Sequence, residues 1–203
     1  TLRSTRRQRQ MCIRDRAYTI RPVCEADIPA IKAIYAEAVA HGTASFELTV
    51  PDEAEMKNRM LDTTGKGYPY LIMETGSRFV GYAYAGAYRA RPAYRWTVEN
   101  SIYLDEGMRG QGFGKILLME LIEICAALDF RQMVSIIGDS DNCASVALHE
   151  GCGFHMTGTF TDVGWKHGRW LDSVMMQREL GSGSLFSPLQ ESVPARLFTG
   201  VGN

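Results

Sequence analysis

The segment Arg109-Gly110-Gln111-Gly112-Phe113-Gly114 places three glycines and an arginine between an apolar stretch, SIYL, and a long apolar run, KILLMELIEICAAL. Glycine has no Cβ, so a ligand can approach the main chain closely there. A helix starting at such a loop has free N–H groups in its first turn, and its dipole favours negative charge. Arg109 and Lys115 add positive charge. The segment therefore reads as a phosphate cradle. A P-loop needs G-x-x-x-x-G-K-[ST], and a dinucleotide fold needs G-x-G-x-x-G after the first strand. Here the spacing is G-x-G-x-G, in mid-chain after several strands.

The elements that must position this loop are legible from periodicity. AYTIRP (17–22) alternates and reads as a strand. EADIPAIKAIYAEAV reads as a helix, with Asp27 able to cap, Pro29 in the first turn, and Ile28, Ile31, Tyr35 and Ala38 on one face. TVPDEAEMKNRML starts another, with Thr49 three residues before Asp52 as a capping pair. YPYLIME (68–74), RFVGYAYAGAY (78–88) and TVENSIYL (97–104) read as strands. KILLMELIEICAAL is helical, with Leu117, Leu121, Ile124, Cys125 and Leu128 in register. MVSIIG (133–138) reads as a buried strand, DSDNCASVALHEGCGF as a short helix stopped by glycine, and FHMTGTF and WLDSVMMQREL as a closing pair. The order predicts an α+β fold: a mixed, mostly antiparallel central sheet with one parallel step, flanked by helices.

Composition bounds the rest. The 203 residues suit one sizeable domain, and the hydrophobic and charged fractions, 45% and 22%, are those of a soluble globular protein. No apolar run approaches the roughly 18–20 residues of a membrane span, so no membrane association is expected. No secretory signal is evident, and five cysteines without C-x-x-C argue against a disulfide framework or a zinc site; the expected setting is cytoplasmic, without a metal. Residues 1–16 carry six arginines against Asp15. Such an arm could bind nucleic acid, but it lacks apolar periodicity and reads as a non-native or disordered segment, so no nucleic-acid partner is expected. Residues 181–203, opening with GSGS, read as a flexible tail. The domain is placed at 17–180.

R-G-x-G-x-G after a strand and before a long helix, with N-x-x-S and G-F some 30–40 residues on, resembles the GCN5-related N-acetyltransferases. RARPAYRWTVENSIYL, VALHEGCGF and GWKHGRWLD make the chain similar to the branch that acetylates phosphinothricin and methionine sulfoximine, a resistance activity. The resemblance implies acetyl-CoA as co-substrate, a splayed pair of strands at its site, and a homodimer. It places Arg109, Gly110, Gln111, Gly112, Phe113, Gly114 and Lys115 on the pyrophosphate, backbone groups of Ile102, Tyr103 and Leu104 on the pantetheine arm, and Asn142 on the pantetheine–pyrophosphate region; asparagine also favours a helix N-cap.

Acetyl transfer to an amine needs a base for the amine, a donor to the thioester oxygen, and help for the leaving sulfur. The resemblance implies Glu99 as base and His149 as the acid at the sulfur, where many relatives carry tyrosine. Read alone, these are a solvent-facing strand glutamate and a helix-capping or core histidine. Arg89 and Arg91, in an arginine-bearing loop with Arg95, are placed on the acceptor's carboxylate, since arginine forks suit carboxylate and phosphinate; the plainer reading is a solvated loop. Asn100 and Phe46 complete the acceptor set, and Tyr84 and Trp96 are further apolar walls or core. His41, His155 and His167 read as structural, with His167 near the substrate end. The expected function is direct, ternary-complex acetylation of the α-amine of a small amino acid or analogue. Alternatives are another acceptor, such as a polyamine, an aminoglycoside or a protein N-terminus, or a CoA-binding sensor without turnover.

Overall fold

The computed structural model describes residues 11–13 and 16–197. Strands β1 (Met11–Ile13) and β2 (Arg16–Pro22) lead into helices α1 (Ile28–Ala40) and α2 (Glu53–Gly65). Strands β3 (Tyr70–Thr75), β4 (Arg78–Ala87) and β5 (Thr97–Leu104) follow as a meander. Helix α3 (Phe113–Ala127) runs to β6 (Gln132–Gly138), and α4 (Cys143–Gly151) runs to a hairpin of β7 (His155–Lys166) and β8 (Arg169–Glu179); a short helix, α5 (Val193–Arg196), comes last. The strands form one sheet in the order β1-β2-β3-β4-β5-β6-β8-β7. Among the described residues, only β5 and β6 pair in parallel.

Helices cover both faces of the sheet. Leu117, Leu118, Leu121 and Cys125 of α3 pack with Val98, Met133 and Met176 in one core. Ile31, Met56 and Met60 of α1 and α2 pack with Ile72 and Tyr82 in the other. The face expected of α1 is the buried one: Ile28, Ile31, Tyr35 and Ala38 are all inside. Its entry is fixed by a bidentate pair, with the Arg21 guanidinium donating to Asp27 at 2.8 and 2.7 Å, while the Cys24 N–H donates to the same carboxylate.

Three expectations change. The cap of α2 is Asp52, whose Oδ1 accepts the Glu55 N–H at 2.8 Å, rather than Thr49. Pro51 disfavours a helical Val50, which moves the start past it. Met11–Ile13, inside the segment set aside as an arm, are an edge strand, with Met11 opposite Tyr18; residues 1–10 and 14–15 lie outside the described residues. The tail does not run free as far as Leu197. Pro194 and Ala195 are buried, Leu197 packs on the α3 core, and the Arg131 guanidinium donates to the Ser182 hydroxyl and the Gly183 carbonyl. Those apolar residues follow a polar GSGS, which hid their packing. Residues 198–203 lie outside the described residues.

Candidate active site at the splayed strands

β5 and β6 pair only over Thr97–Glu99 and Gln132–Val134. Beyond that, β5 stays with β4 as far as Leu104 opposite Gly81, and β6 stays with β8 as far as Gly138 opposite Ser173. The two half-sheets part. The Asp105 N–H bonds Val80 O on the β4 side. Hydrogen-bonded pairs alternate along an antiparallel ladder, so Tyr103 and Ser101 also turn their backbone to β4. Ile102 and Leu104 turn theirs to the gap. The Arg109 Nε–H donates to Leu104 O at 3.3 Å, in keeping with that register. Of the three residues expected to meet an extended arm through their backbone, Tyr103 is therefore committed to the sheet.

The gap is a slit of about 50 Å3, lined by Asn100, Ile102, Ser135, Asn142, Ser145 and His149 among others. It is continuous with a groove of about 700 Å3 through the shared walls Ala44, Ile102, Tyr103, Asn142 and Ser145. The groove runs over Gly110, Gly112, Gly114 and Lys115, beneath the end of α1 and the segment Gly42–Ala44.

At the groove floor the backbone is left-handed, with φ of +72° at Gly110 and +87° at Gly112. L-residues avoid this region, so glycine is required. A Cβ at either position would meet nothing within 4 Å: the space is open to a ligand. No side chain caps α3, which leaves its first-turn N–H groups for an anion. Gly114 has a different reason, because its Cβ would stand 3.1 Å from Leu104 Cδ1. Arg109 and Lys115 are exposed along the groove. The side chains of Gln111 and Phe113 point elsewhere: Gln111 donates to Gly107 O at 2.9 Å, and Phe113 is a core residue. Asn142 fills both of its readings, since it lines the groove and its Oδ1 accepts the Ser145 N–H as the cap of α4.

Alternation along β5 divides the remaining residues between two faces. Val98, Asn100 and Ile102 face α3 and α4, while Glu99, Ser101 and Tyr103 face α1 and α2. The Glu99 carboxylate is partly buried, with no hydrogen-bond or ion-pair partner among the described residues, and burial raises its pKa. Tyr84, hydrogen-bonded to Ser101, lies near it on this face; its phenol is also pushed up, first by burial. Phe46 stands on the same face farther along. Its ring packs over Gly138 and Gly164, where a Cβ would come within 2.8 and 2.5 Å of it. Lys166 donates to Ser45 O at 2.6 Å and holds that segment down.

His149 and Asn100 lie on the opposite face from Glu99. The ring is 1% exposed. Its Nδ1 donates to Ser145 O at 2.8 Å, and its Nε2 lies 3.0 Å from Asn100 Nδ2 and 2.9 Å from Ser135 Oγ. Burial lowers its pKa, and the Ser145 carbonyl opposes this in part. A neutral ring bonded in this way has no proton at Nε2, so the arrangement does not present the acid expected of it. Asn100, expected on the acceptor, is turned away from Glu99 and spent on His149. Sequence reasoning missed Ser135, because nothing in MVSIIG marks which strand residue meets α4.

Arg89 and Arg91 are exposed and line neither cavity. They belong to the loop between β4 and β5, which enters β5 two residues before Glu99. The Arg89 guanidinium lies 5.1 Å from the Tyr88 ring centroid and 5.8 Å from that of Tyr94. Among the described residues, no cluster of side chains could hold a metal ion.

The family profile described as an acetyltransferase (GNAT) domain matches residues 20–175. The chain is 47% identical over 172 residues to a phosphinothricin N-acetyltransferase of Alcaligenes faecalis, covering 85% of this chain and 87% of that protein. It is 40% identical over 164 residues to an L-methionine sulfoximine/L-methionine sulfone acetyltransferase of Pseudomonas aeruginosa, covering 80% and 94%. A crystal structure of a GNAT superfamily phosphinothricin acetyltransferase from Sinorhizobium meliloti in complex with AcCoA superposes with a TM-score of 0.85 at 46% identity, covering 88% and 96%.

Proposed function

The chain belongs to the GNAT family of acetyltransferases, and on that premise we propose that it acetylates the α-amine of a small amino acid analogue, such as phosphinothricin or methionine sulfoximine, by direct transfer from acetyl-CoA. The observation that carries the reading is the slit. It opens where β5 and β6 part, just past the Glu99–Val134 pair, and shares walls with an open, glycine-floored anion groove. The relatives bearing these activities by name support the acceptor class.

When bound, acetyl-CoA supplies a thioester carbonyl to the amine. The chain's own residues do the rest. The first turn of α3, with Arg109 and Lys115, holds the phosphates. The gap-facing backbone of Ile102 and Leu104 takes the arm as a strand edge takes a peptide, and one of these N–H groups donates to the carbonyl oxygen as charge develops there. Glu99 removes the ammonium proton; its raised pKa moves it toward the working range of a general base. Arg89 and Arg91 meet the acceptor carboxylate from the loop entering β5. Phe46 walls the acceptor side chain. His149 closes the sulfur end of the slit.

A second copy of the chain covers the β7 edge in this proposal. Met156, Phe160, Val163, Trp165 and Trp170 are all more than half exposed on that hairpin, and an apolar edge strand invites pairing. Among the described residues no helix is long and apolar enough to cross a membrane, and the odd number of cysteines supports a cytoplasmic setting.

The test is thiol release from acetyl-CoA with L-phosphinothricin, L-methionine sulfoximine, spermidine or an aminoglycoside offered separately. Release with either amino acid analogue is expected. Release with the cationic acceptors alone would overturn the acceptor class, and acetyl-CoA binding with silence toward all four would favour a sensor.

A further inference from the structure

The polar cluster inside the slit has no part in the reading above beyond closing its sulfur end. Asn100, Ser135 and His149 come from β5, β6 and α4, and are 4%, 2% and 1% exposed. Burying three polar side chains together costs free energy unless each is hydrogen-bonded. Here the bonds have a direction. Ser145 O can only accept, so His149 Nδ1 carries a proton. Asn100 Nδ2 can only donate, so His149 Nε2 accepts from it. The Ser135 hydroxyl reaches the same Nε2 and is left the donor's part. Among the described residues no charged side chain is hydrogen-bonded or ion-paired to the ring. Its neighbours are Asn100 from β5, Ser135 from β6, the Ser145 carbonyl from α4, and the Phe154 ring before β7, edge-on at 5.0 Å.

We propose that Asn100 and Ser135 are positioning residues that lock His149 as a neutral ring with Nε2 a double acceptor, so that it holds the slit open in one shape and gives no proton to the departing sulfur. The sulfur then keeps the electron pair of the broken C–S bond, leaves as the thiolate, and takes its proton from solvent. A second observation supports a lock built around a ligand: among the described residues Asn100 Oδ1 is buried without a partner, and Asn100 lines the slit. The amide is anchored through its nitrogen to His149, and its oxygen is left for a donor that enters the slit. Imidazolium would break the arrangement, because a proton on Nε2 would face an amide N–H. This inference deepens the proposed transfer and rests on that reading only for the identity of the sulfur.

The test reads the ring directly, without turnover. Two-dimensional 15N NMR of the histidine side chains reports which ring nitrogen is protonated and whether it titrates. In the unmutated protein His149 is expected to show one protonated nitrogen, Nδ1, unchanged across the pH range in which the enzyme works. Asn100→Asp puts an acceptor where the amide donated, and is expected to bring a titration of His149 into that range with the proton on Nε2. Ser135→Ala removes one donor and is expected to move the titration in the same direction by less, while Ser135→Thr retains the hydroxyl and restores the unmutated spectrum. A His149 that titrates freely in the unmutated protein, or carries its proton on Nε2 there, overturns the lock. So does a His149 signal that neither Asn100→Asp nor Ser135→Ala moves. Failure of every acceptor in the thiol-release assay leaves these spectra readable and bears only on the proposed function.

Discussion

Replacing Gly112 with alanine separates what the glycine loop does for the fold from what it does for the ligand. Gly112 has φ of +87°, and a Cβ there would meet no atom within 4 Å. Crowding therefore contributes nothing, and the cost is backbone strain alone. A left-handed alanine costs about 1–2 kcal/mol. For a chain of this size that is a fall in Tm of about 2–8 °C, read by thermal or urea unfolding without acetyl-CoA. The slope of the urea transition should not change, since the surface exposed on unfolding is the same. The added methyl also enters space that the ligand is proposed to fill, so acetyl-CoA should bind about tenfold or more weakly by calorimetric titration, a difference of about 1.4 kcal/mol. Gly114→Ala is the control. Its backbone is helical, where alanine gains about 0.5–1 kcal/mol over glycine, and its Cβ would press Leu104 at 3.1 Å. The two effects oppose, so its stability should stay within about 1 kcal/mol of the unmutated protein. Gly112→Ala with unchanged stability and unchanged acetyl-CoA affinity would refute the assignment of this loop.

Glu99→Gln should lower turnover by about 10²–10⁴-fold with acetyl-CoA affinity nearly unchanged, measured by thiol release and titration. Its effect on stability follows from linkage. Burial raises the folded-state pKa of Glu99, so the native state holds its proton more tightly and loses stability as pH rises from the unfolded value through the folded one. The glutamine variant has no such proton and escapes that loss; it should be the more stable protein at neutral pH and gain nothing in acid, as urea midpoints against pH would show. Gly164→Ala should push the Phe46 ring, which it would approach within 2.5 Å, costing about 1–3 kcal/mol and raising the acceptor KM; adding Phe46→Ala should recover part of the stability in a double-mutant cycle. Removing residues 181–203 should lower Tm measurably, because Pro194 and Ala195 are buried against the domain and Leu197 packs on its core.

Periodicity carried the elements because it reports burial: the α1 face Ile28, Ile31, Tyr35 and Ala38 is inside wherever α1 packs. The glycine loop was legible for the same local reason, since positive φ and an uncapped helix are properties of a few consecutive residues. What stayed hidden depends on register and on long-range pairing. That Tyr103 turns its backbone to β4 follows from one bond between Asp105 and Val80, which no sequence window contains. That Asn100 serves His149, on the face away from Glu99, requires knowing that β5 and β6 part after Glu99 and Val134. Ser135 gave no signal because a serine in an apolar strand is equally a surface residue. The tail misled because GSGS describes its first residues, whereas the anchors Pro194, Ala195 and Leu197 come later in the chain.

The most direct measurement is NMR identification of the product formed from acetyl-CoA and L-phosphinothricin, with the unmutated enzyme beside Glu99→Gln. The account predicts an acetyl group on the α-nitrogen, formed rapidly by the first and slowly by the second. Acetylation at another atom, or equal rates from the two proteins, would contradict it.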